Sequence, residues 1–331
     1  MLNDIFAAKG LALESVLGRA LAYFDRRRMP DGCIVDDPGV VILHIWDSVN
    51  ALKALTLWKD RVGPEAEKTL QGLLSFLKSQ ERPTGMISWG SIEIAPREYC
   101  TETTAEYIMA LGRLGRVEEA RQKLMFLRTR QLATGPWEEV HPHVPKAFQT
   151  TPSVTGFTLQ AMVALDVKPL YLDEALTFLV KSQKEEGHWG INWFFLNTPY
   201  YLTRPVSACM AHFGYYAAVA RLRDYVLSQQ RGDGSWHTEL EGFGRALSPE
   251  LHTALALETL ACCGLDADEA AVRRGVSWLL ERQQADGSWL GGVFPYPDAD
   301  VYRSFKVTQD VYTTSQVLSA LNKLSELESS L

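Results

Sequence analysis

Cysteine is scarce: five residues (33, 100, 209, 262 and 263) in 331, an odd number with no framework spacing. That argues against a disulfide-stapled scaffold and suits reduced thiols in a cytosol. Basic charge is not in excess either. With 33 Lys and Arg against 40 Asp and Glu, the net charge is −7, which gives no electrostatic reason to bind nucleic acid or an anionic membrane. No apolar run nears the roughly 18 residues that cross a bilayer. Met1-Leu2-Asn3-Asp4 has neither the basic start nor the apolar core of a signal peptide. The expectation is a soluble, cytoplasmic protein with no transmembrane segment, any membrane contact being peripheral. Strand signals are few, confined to Gly39–Ile45 and the segment near Trp193. A linker is missing as well: Pro and Gly recur in every loop rather than at one boundary, which predicts one domain over residues 1–331.

What the chain has is repetition. Gln230-Arg231-Gly232-Asp233-Gly234-Ser235-Trp236 and Gln283-Gln284-Ala285-Asp286-Gly287-Ser288-Trp289 are near copies of each other. Looser copies run Gln80…Gly85…Trp89, Gln131…Gly135…Trp137 and Gln183…Gly187…Trp189, and a degenerate one, Pro30-Asp31-Gly32-Cys33, puts Cys in the Trp place. The glycines at 32, 85, 135, 187, 234 and 287 lie 53, 50, 52, 47 and 53 residues apart. A period near 50 means one structural unit repeated six times.

Each unit reads as two helices. The first is amphipathic, as in Ala271–Arg282, where Val272, Val276 and Leu279 share one face; Leu70–Leu77 and Ala175–Val180 fit the same outer role. The second opens on Ser, Thr, Asp, Glu or Pro and continues with small apolar residues on several faces, as an inner helix must. These inner helices are expected to begin near Ile45, Thr101, Pro152, Thr203, Pro249 and Asp310. Six of each close into an all-α, single α6/α6 toroid. In the turn between them the Gln, at the C-terminus of an outer helix, is expected to reach free carbonyls with its amide, with Gly giving a left-handed cap and Trp stacking back over the amide, so that helix ends are stapled to each other around the ring. These turns read as scaffold.

The Gln…Asp-Gly-x-Trp turns, over about residues 20–325, resemble the QW repeats of the terpene cyclase and protein prenyltransferase superfamily. Arg273-Arg274-Gly275-Val276 through Trp289 looks like the last repeat of squalene–hopene cyclases. Trp46-Asp47-Ser48 falls where that family has Trp-Asp-Thr. At the next inner helix, where it has Asp-x-Asp-Asp-Thr-Ala, this chain reads Cys100-Thr101-Glu102-Thr103-Thr104-Ala105-Glu106. That is nearer the Ser-Asp-Cys-Thr-Ala-Glu of oxidosqualene cyclases, with Glu102 in the acid's place and Thr103 in that of Cys. The resemblance implies class II-like cyclisation: an acid protonates an alkene or epoxide of an isoprenoid, and rings close through carbocations. Such an acid must be a carboxyl kept protonated by burial. Glu102 is the candidate donor; the paired aspartates that sharpen acidity in the family are missing. The plain structural role for Glu102 is a helix N-terminal residue favoured by the macrodipole.

Other inner-helix starts supply further candidates. Asp47 is expected to face the lumen. Asp310 is expected as an N-cap or a second acid. Arg204 is placed at the cavity mouth, to hold a diphosphate or carboxylate head group or to pair with Glu102, Asp47 or a loop charge. His252 is expected to bond a lumen carboxyl or sit satisfied in the core. Aromatic faces that stabilise cations would come from Trp46, Trp193, Phe157, Tyr107, Tyr201 and Tyr312. Asp298-Ala299-Asp300 and His141-Pro142-His143 read as solvated loops. No metal or other cofactor is called for, except Mg²⁺ with a diphosphate substrate. The Asp-x-Cys pair of zinc prenyltransferases is absent from every inner-helix start. Class II relatives usually shield the site with a second helical domain; here long loops (Gly85–Thr101, Pro136–Thr151, His188–Thr203, Trp289–Thr308), a second protomer or a partner protein would have to do so. This favours a shorter isoprenoid or a prenylated small molecule. The competing readings are a non-catalytic isoprenoid-binding or protein-interaction toroid and a prenyltransferase-like enzyme.

Overall fold

The structure, a computed structural model, describes residues 2–39, 43–61, 63–90, 98–140, 146–191, 198–237, 248–292 and 308–329. Among them are thirteen α-helices and no strand. Six inner helices, α3 (His44–Leu57), α5 (Thr101–Arg113), α7 (Pro152–Ala164), α9 (Pro199–His212), α11 (Pro249–Cys262) and α13 (Asp310–Ser329), pack each on the next, and α13 returns to α3. Outside them lie α2 (Leu13–Arg26), α4 (Pro64–Ser79), α6 (Val117–Thr129), α8 (Leu172–Ser182), α10 (Tyr216–Ser228) and α12 (Ala270–Leu280), while α1 (Leu2–Ala8) packs against α12. The ring is closed, as the six-fold period predicts.

Burial follows composition. Every residue from Glu250 to Ala261 in α11 is buried, whereas α12 buries one face through Val272, Val276 and Leu279. Five inner helices begin within a residue of the expected place. The exception is α9, which starts four residues before Thr203, at Pro199, because Thr198 caps it by accepting the Tyr200 N–H at 3.3 Å. Pro205 is therefore inside the helix.

The repeat turn has one geometry in all six copies. The Gly N–H donates to the carbonyl three residues back, and the N–H of that residue donates to the carbonyl just after the Gly, as in Gly287→Gln284 (2.9 Å) and Gln284→Ser288 (2.8 Å). All six glycines have positive φ, between 78° and 107°. At Gly287 an added Cβ would also meet the Arg19 carbonyl of the next outer helix at 2.1 Å, so both conformation and space demand glycine.

The Gln staples neighbouring helix ends as expected, while the Trp bonds to its own helix. The Trp indole N–H takes a carbonyl near the C-terminus of its own outer helix: Trp137 to Leu127, Trp189 to Leu179, Trp236 to Val226 and Trp289 to Leu279, each 2.7 Å. The Gln amide reaches across to the start of the next outer helix instead, from Gln131 to Tyr171 O, Gln183 to Ala218 O, Gln230 to Ala271 O and Gln283 to Val16 O. Each Gln also bonds its own turn's Gly carbonyl.

This geometry corrects the register of the first two copies. Counting four back from Gly gives Gln in four copies but Glu81 and Arg28 in the others; counting two forward gives Trp in four but Ile87 and Ile34 in the others. Gln80, Trp89 and Cys33 are thus out of place. Glu81 does the Gln's work with a charge, pairing with Lys123 on α6 at 2.7 Å. The residue two past the Gly donates its N–H to one hydroxyl on the facing inner helix in every unit: Ile34 to Ser48, Ile87 to Thr104, Trp137 to Thr155, Trp189 to Thr203, Trp236 to Thr253 and Trp289 to Thr314. Those six hydroxyls fix the rotation of the inner helices.

Candidate functional site

Two residues before each of those hydroxyls stand Trp46, Glu102, Ser153, Tyr201, Leu251 and Tyr312. These positions face the ring's axis, because their side chains meet across it. Tyr201 on α9 donates to Glu102 Oε2 on α5 at 2.6 Å, and Trp46 on α3 lies 6.4 Å from the Tyr201 ring and 5.2 Å from that of Tyr312. Ser153 on α7 donates to Glu102 Oε1. One layer of the lumen therefore holds a single carboxyl among three aromatic rings, a hydroxyl and a leucine.

Glu102 is 3% exposed. Burial pushes its pKa up, a net rise that survives the opposing hydroxyls of Ser153 and Tyr201 and the charge of Arg204; Glu106 adds to it. Tyr312 is buried, and its hydroxyl has no hydrogen-bond partner among the described residues. One turn deeper along the axis, about 6 Å at the helical rise, lies Phe157, its ring 5.9 Å from Tyr201.

Below that layer the lumen is crossed by ion pairs. Arg204 bridges Glu106 (3.2 Å) and Glu258 (3.1 Å), Lys53 lies 3.3 Å from Glu106 and 4.0 Å from Glu258, and Ser319 donates to Glu258. Burial raises the pKa of both carboxylates, but Lys53 and Arg204 more than offset this and hold both low. The Arg204 guanidinium also stacks 4.9 Å over Phe157. Two cavities open on the far side, near the helix C-termini: one of about 140 Å³ touching Lys53, Arg113 and Glu258, another of about 350 Å³ touching Cys209, Cys262 and Leu327.

The remaining predicted residues lie elsewhere. Arg204 is not at the mouth; its charge is spent on Glu106 and Glu258. Asp47 stands one residue past the axial position, where its Oδ2 accepts the Asp36 N–H at 3.2 Å, so it turns to the Asp36 loop and not to Glu102. Burial and the neighbouring Asp36 charge raise its pKa. Asp310, first residue of α13, accepts the Gly291 N–H at 2.7 Å and ties down the sixth turn. Thr103 donates to Cys100 Sγ at 3.0 Å, part of the α5 cap. Tyr107 points outward and donates to Glu81 at 2.8 Å. His252 lies against His237 and Tyr200, with centroids 5.3 and 6.3 Å away. Trp193, His141, His143, Asp298 and Asp300 lie outside the described residues, as do parts of all four loops expected as lids.

One residue that sequence reasoning missed is Glu139. It is 1% exposed, accepts the Thr101 N–H at 3.0 Å and the Val140 N–H at 2.9 Å, and takes the Cys100 thiol at 3.1 Å. Burial, then the Glu102 charge, push its pKa up to about 7. The available signal was positional: Glu139 stands four past its repeat glycine, where the first unit has Asp36, which accepts the Val311 N–H at the head of α13 at 3.0 Å.

Residues 197–329 match the family described as squalene–hopene cyclase C-terminal domain. The chain is similar to enfumafungin synthase from Hormonema carpetanum, 32% identical over 131 residues, covering 36% of this chain and 10% of that protein. It is also similar to squalene–hopene cyclase from Zymomonas mobilis, 24% identical over 304 residues, covering 76% of this chain and 45% of that protein. The chain thus spans less than half the length of these two relatives. Among solved structures, the type II terpene cyclase MstE from Scytonema, in complex with geranylgeranyl dihydroxybenzoate as substrate, superposes with a TM-score of 0.73 at 18% identity, covering 95% of this chain and 97% of that one. With the repeat turns, the closed ring and an axial acid already in place, these matches show that residues 197–329 resemble the squalene–hopene cyclase C-terminal domain and that the chain has the all-α toroid fold of type II terpene cyclase structures.

Proposed function

We propose that this protein is an acid-initiated terpenoid cyclase in which Glu102 protonates the terminal alkene or epoxide of an isoprenoid. The observation that carries this reading is the axial layer itself: one buried carboxyl of raised pKa, hydrogen-bonded on both oxygens and faced by Trp46, Tyr201 and Tyr312. The Glu102 O–H bond would break as a C–H bond forms at the terminal alkene carbon, or an O–H bond at the epoxide oxygen. The next double bond supplies the electron pair for each ring closure, and loss of a proton or capture of a nucleophile ends the cascade. Ser153 and Tyr201 then donate to the carboxylate left behind, which stabilises it. The rings of Trp46, Tyr201, Tyr312 and Phe157 suit passing cations.

The ion-paired septum gives the lumen a polar floor one turn below the acid, so the reactive end of the substrate would stop there and its tail would leave through the mouth. The similarity in extent to a cyclase that binds a geranylgeranyl-bearing aromatic acid supports a short isoprenoid or a prenylated small molecule. Because Arg204 is paired internally, the described residues offer no support for a diphosphate head group or its Mg²⁺ at that position. Incubation with C10 to C30 polyprenyl alcohols, diphosphates, epoxides and prenylated aromatic acids, wild type beside Glu102→Gln, tests the reading. Cyclised product from the wild type, lost in the variant, is expected. Tight binding with no turnover of any of them would instead support the isoprenoid-binding toroid.

A further inference from the structure

Glu102 lacks the neighbouring aspartates of the family motif, yet a second carboxyl stands behind it. Glu139 comes from a different element, the stretch that follows the third repeat turn, and lies at the N-terminus of the same helix α5. The two carboxyls are bonded in opposite ways. Among the described residues, every hydrogen bond to the Glu139 carboxyl comes from a donor: the Thr101 and Val140 N–H groups and the Cys100 thiol. A backbone N–H cannot reverse its direction, so this set favours the ionised form. Glu102 is met by two hydroxyls, from Ser153 and Tyr201, and a hydroxyl can turn to accept. The surroundings of Glu102 therefore tolerate a proton, and those of Glu139 resist one.

We infer that Glu139 is a positioning residue for the reaction: it and Glu102 hold one proton between them, and the N–H and thiol donors around Glu139 put the charge there and the proton on Glu102. This rests on the reading of Glu102 as the donor. Two like charges buried close together cannot both ionise cheaply, so the better-solvated partner takes the charge and the other keeps the proton. The groups facing the pair are few. Glu102 is met by Tyr201 and Arg204 from α9, Tyr312 from α13, Glu106 one turn along α5, and Cys100 at its cap. Glu139 is met by Glu102, Cys100 and Tyr99. Arg204 works against protonation, but Glu106 and Glu258 divide its charge.

The test is Glu139→Gln, which keeps a carbonyl oxygen for the Thr101 N–H and removes the charge. Turnover is measured from pH 5 to 9, and in parallel the infrared band of the protonated Glu102 carboxyl, identified by its loss in Glu102→Gln, is titrated without substrate. The alkaline limb is expected to move to lower pH in the variant, so that the ratio of rates at pH 8 and pH 6 falls roughly tenfold below that of the wild type, and the infrared band is expected to titrate away at lower pH. Glu139→Asp, which keeps the charge but draws it back by one methylene, is expected to shift both in the same direction by less, and serves if the amide variant does not fold. Asp36→Asn removes the equivalent cap of α13, which has no acid in the layer above it, and is expected to leave both unmoved. If limb and band stay in place in Glu139→Gln while Glu102→Gln abolishes both, Glu139 is only a helix cap and the inference falls. If turnover survives Glu102→Gln, the donor assignment falls instead, and the infrared titration alone then supports or overturns the coupling.

Discussion

Gln283 donates from Nε2 to the carbonyl of Val16 at 3.0 Å, across 267 residues of chain. The same bond joins each of the three preceding outer helices to its successor. Here it joins the last outer helix, α12, to the first, α2, and seals the ring. The seam is reinforced by Arg19, whose guanidinium donates to Gln283 Oε1 at 3.0 Å.

Gln283→Ala should therefore lower stability by about 1–3 kcal/mol, the cost of leaving buried backbone groups unpaired. Hydrogen exchange should rise first in α1, α2 and α12. The out-of-register Gln80 provides the contrast: Gln80→Ala should change the melting temperature little, whereas Glu81→Ala, which leaves Lys123 only its longer pair with Glu119 and takes the acceptor from Tyr107, should lower it clearly. Equal effects at 80 and 81 would contradict the register derived from the turns.

Gly287→Ala should be among the most damaging single-methyl changes in the protein. Its φ is +91° and the new Cβ would lie 2.1 Å from the Arg19 carbonyl oxygen. A loss of roughly 3 kcal/mol or more in urea unfolding is expected. Gly10→Ala, with φ +66° and nothing within 4 Å, should cost only about 1 kcal/mol.

Removing Arg204 leaves Glu106 and Glu258 buried with Lys53 as their remaining ion-pair partner among the described residues. Arg204→Met is expected to cost about 3–5 kcal/mol, as broken buried pairs do. Adding Glu258→Gln should recover part of that loss, so the double variant is more stable than the sum of the two single changes predicts. A cation needed only for a ligand's head group would show no such recovery.

Stability should fall as pH rises from mildly acid to alkaline. Asp36 has its pKa pushed up to about 7, by burial first and by the Asp310 charge next. In the unfolded chain it would titrate near 4. Between those values the folded state holds a proton that the unfolded state has lost, so the stabilisation present at low pH disappears as pH passes 7. Below about pH 4, Glu106 and Glu258, held low by Lys53 and Arg204, reverse the trend. A melting temperature that rises between pH 5 and 8 would contradict the shifts, and Asp36→Asn should flatten the slope.

The period near 50, the glycines and the Gln and Trp of four turns were legible in the chain, because backbone demands are local: a positive φ needs Gly, a helix start needs a cap or Pro, and an all-round buried helix needs small residues. Glu102 and Trp46 were named from the motifs that resemble those of the cyclases, and Phe157, Tyr201 and Tyr312 as aromatics at inner-helix starts. What only the tertiary structure decided is which way each residue faces and whom it meets. Asp47 and Thr103 are one position from the axis, a rotation of 100° that turns them into a loop and a cap. Arg204 was legible as a lumen cation, but its partners Glu106 and Glu258 lie 98 and 54 residues away. Glu139 reaches the head of α5, next to the acid, only because the stretch after the third turn folds over it. Local sequence sets the backbone's conformation; contacts between distant turns set where each charge and proton resides.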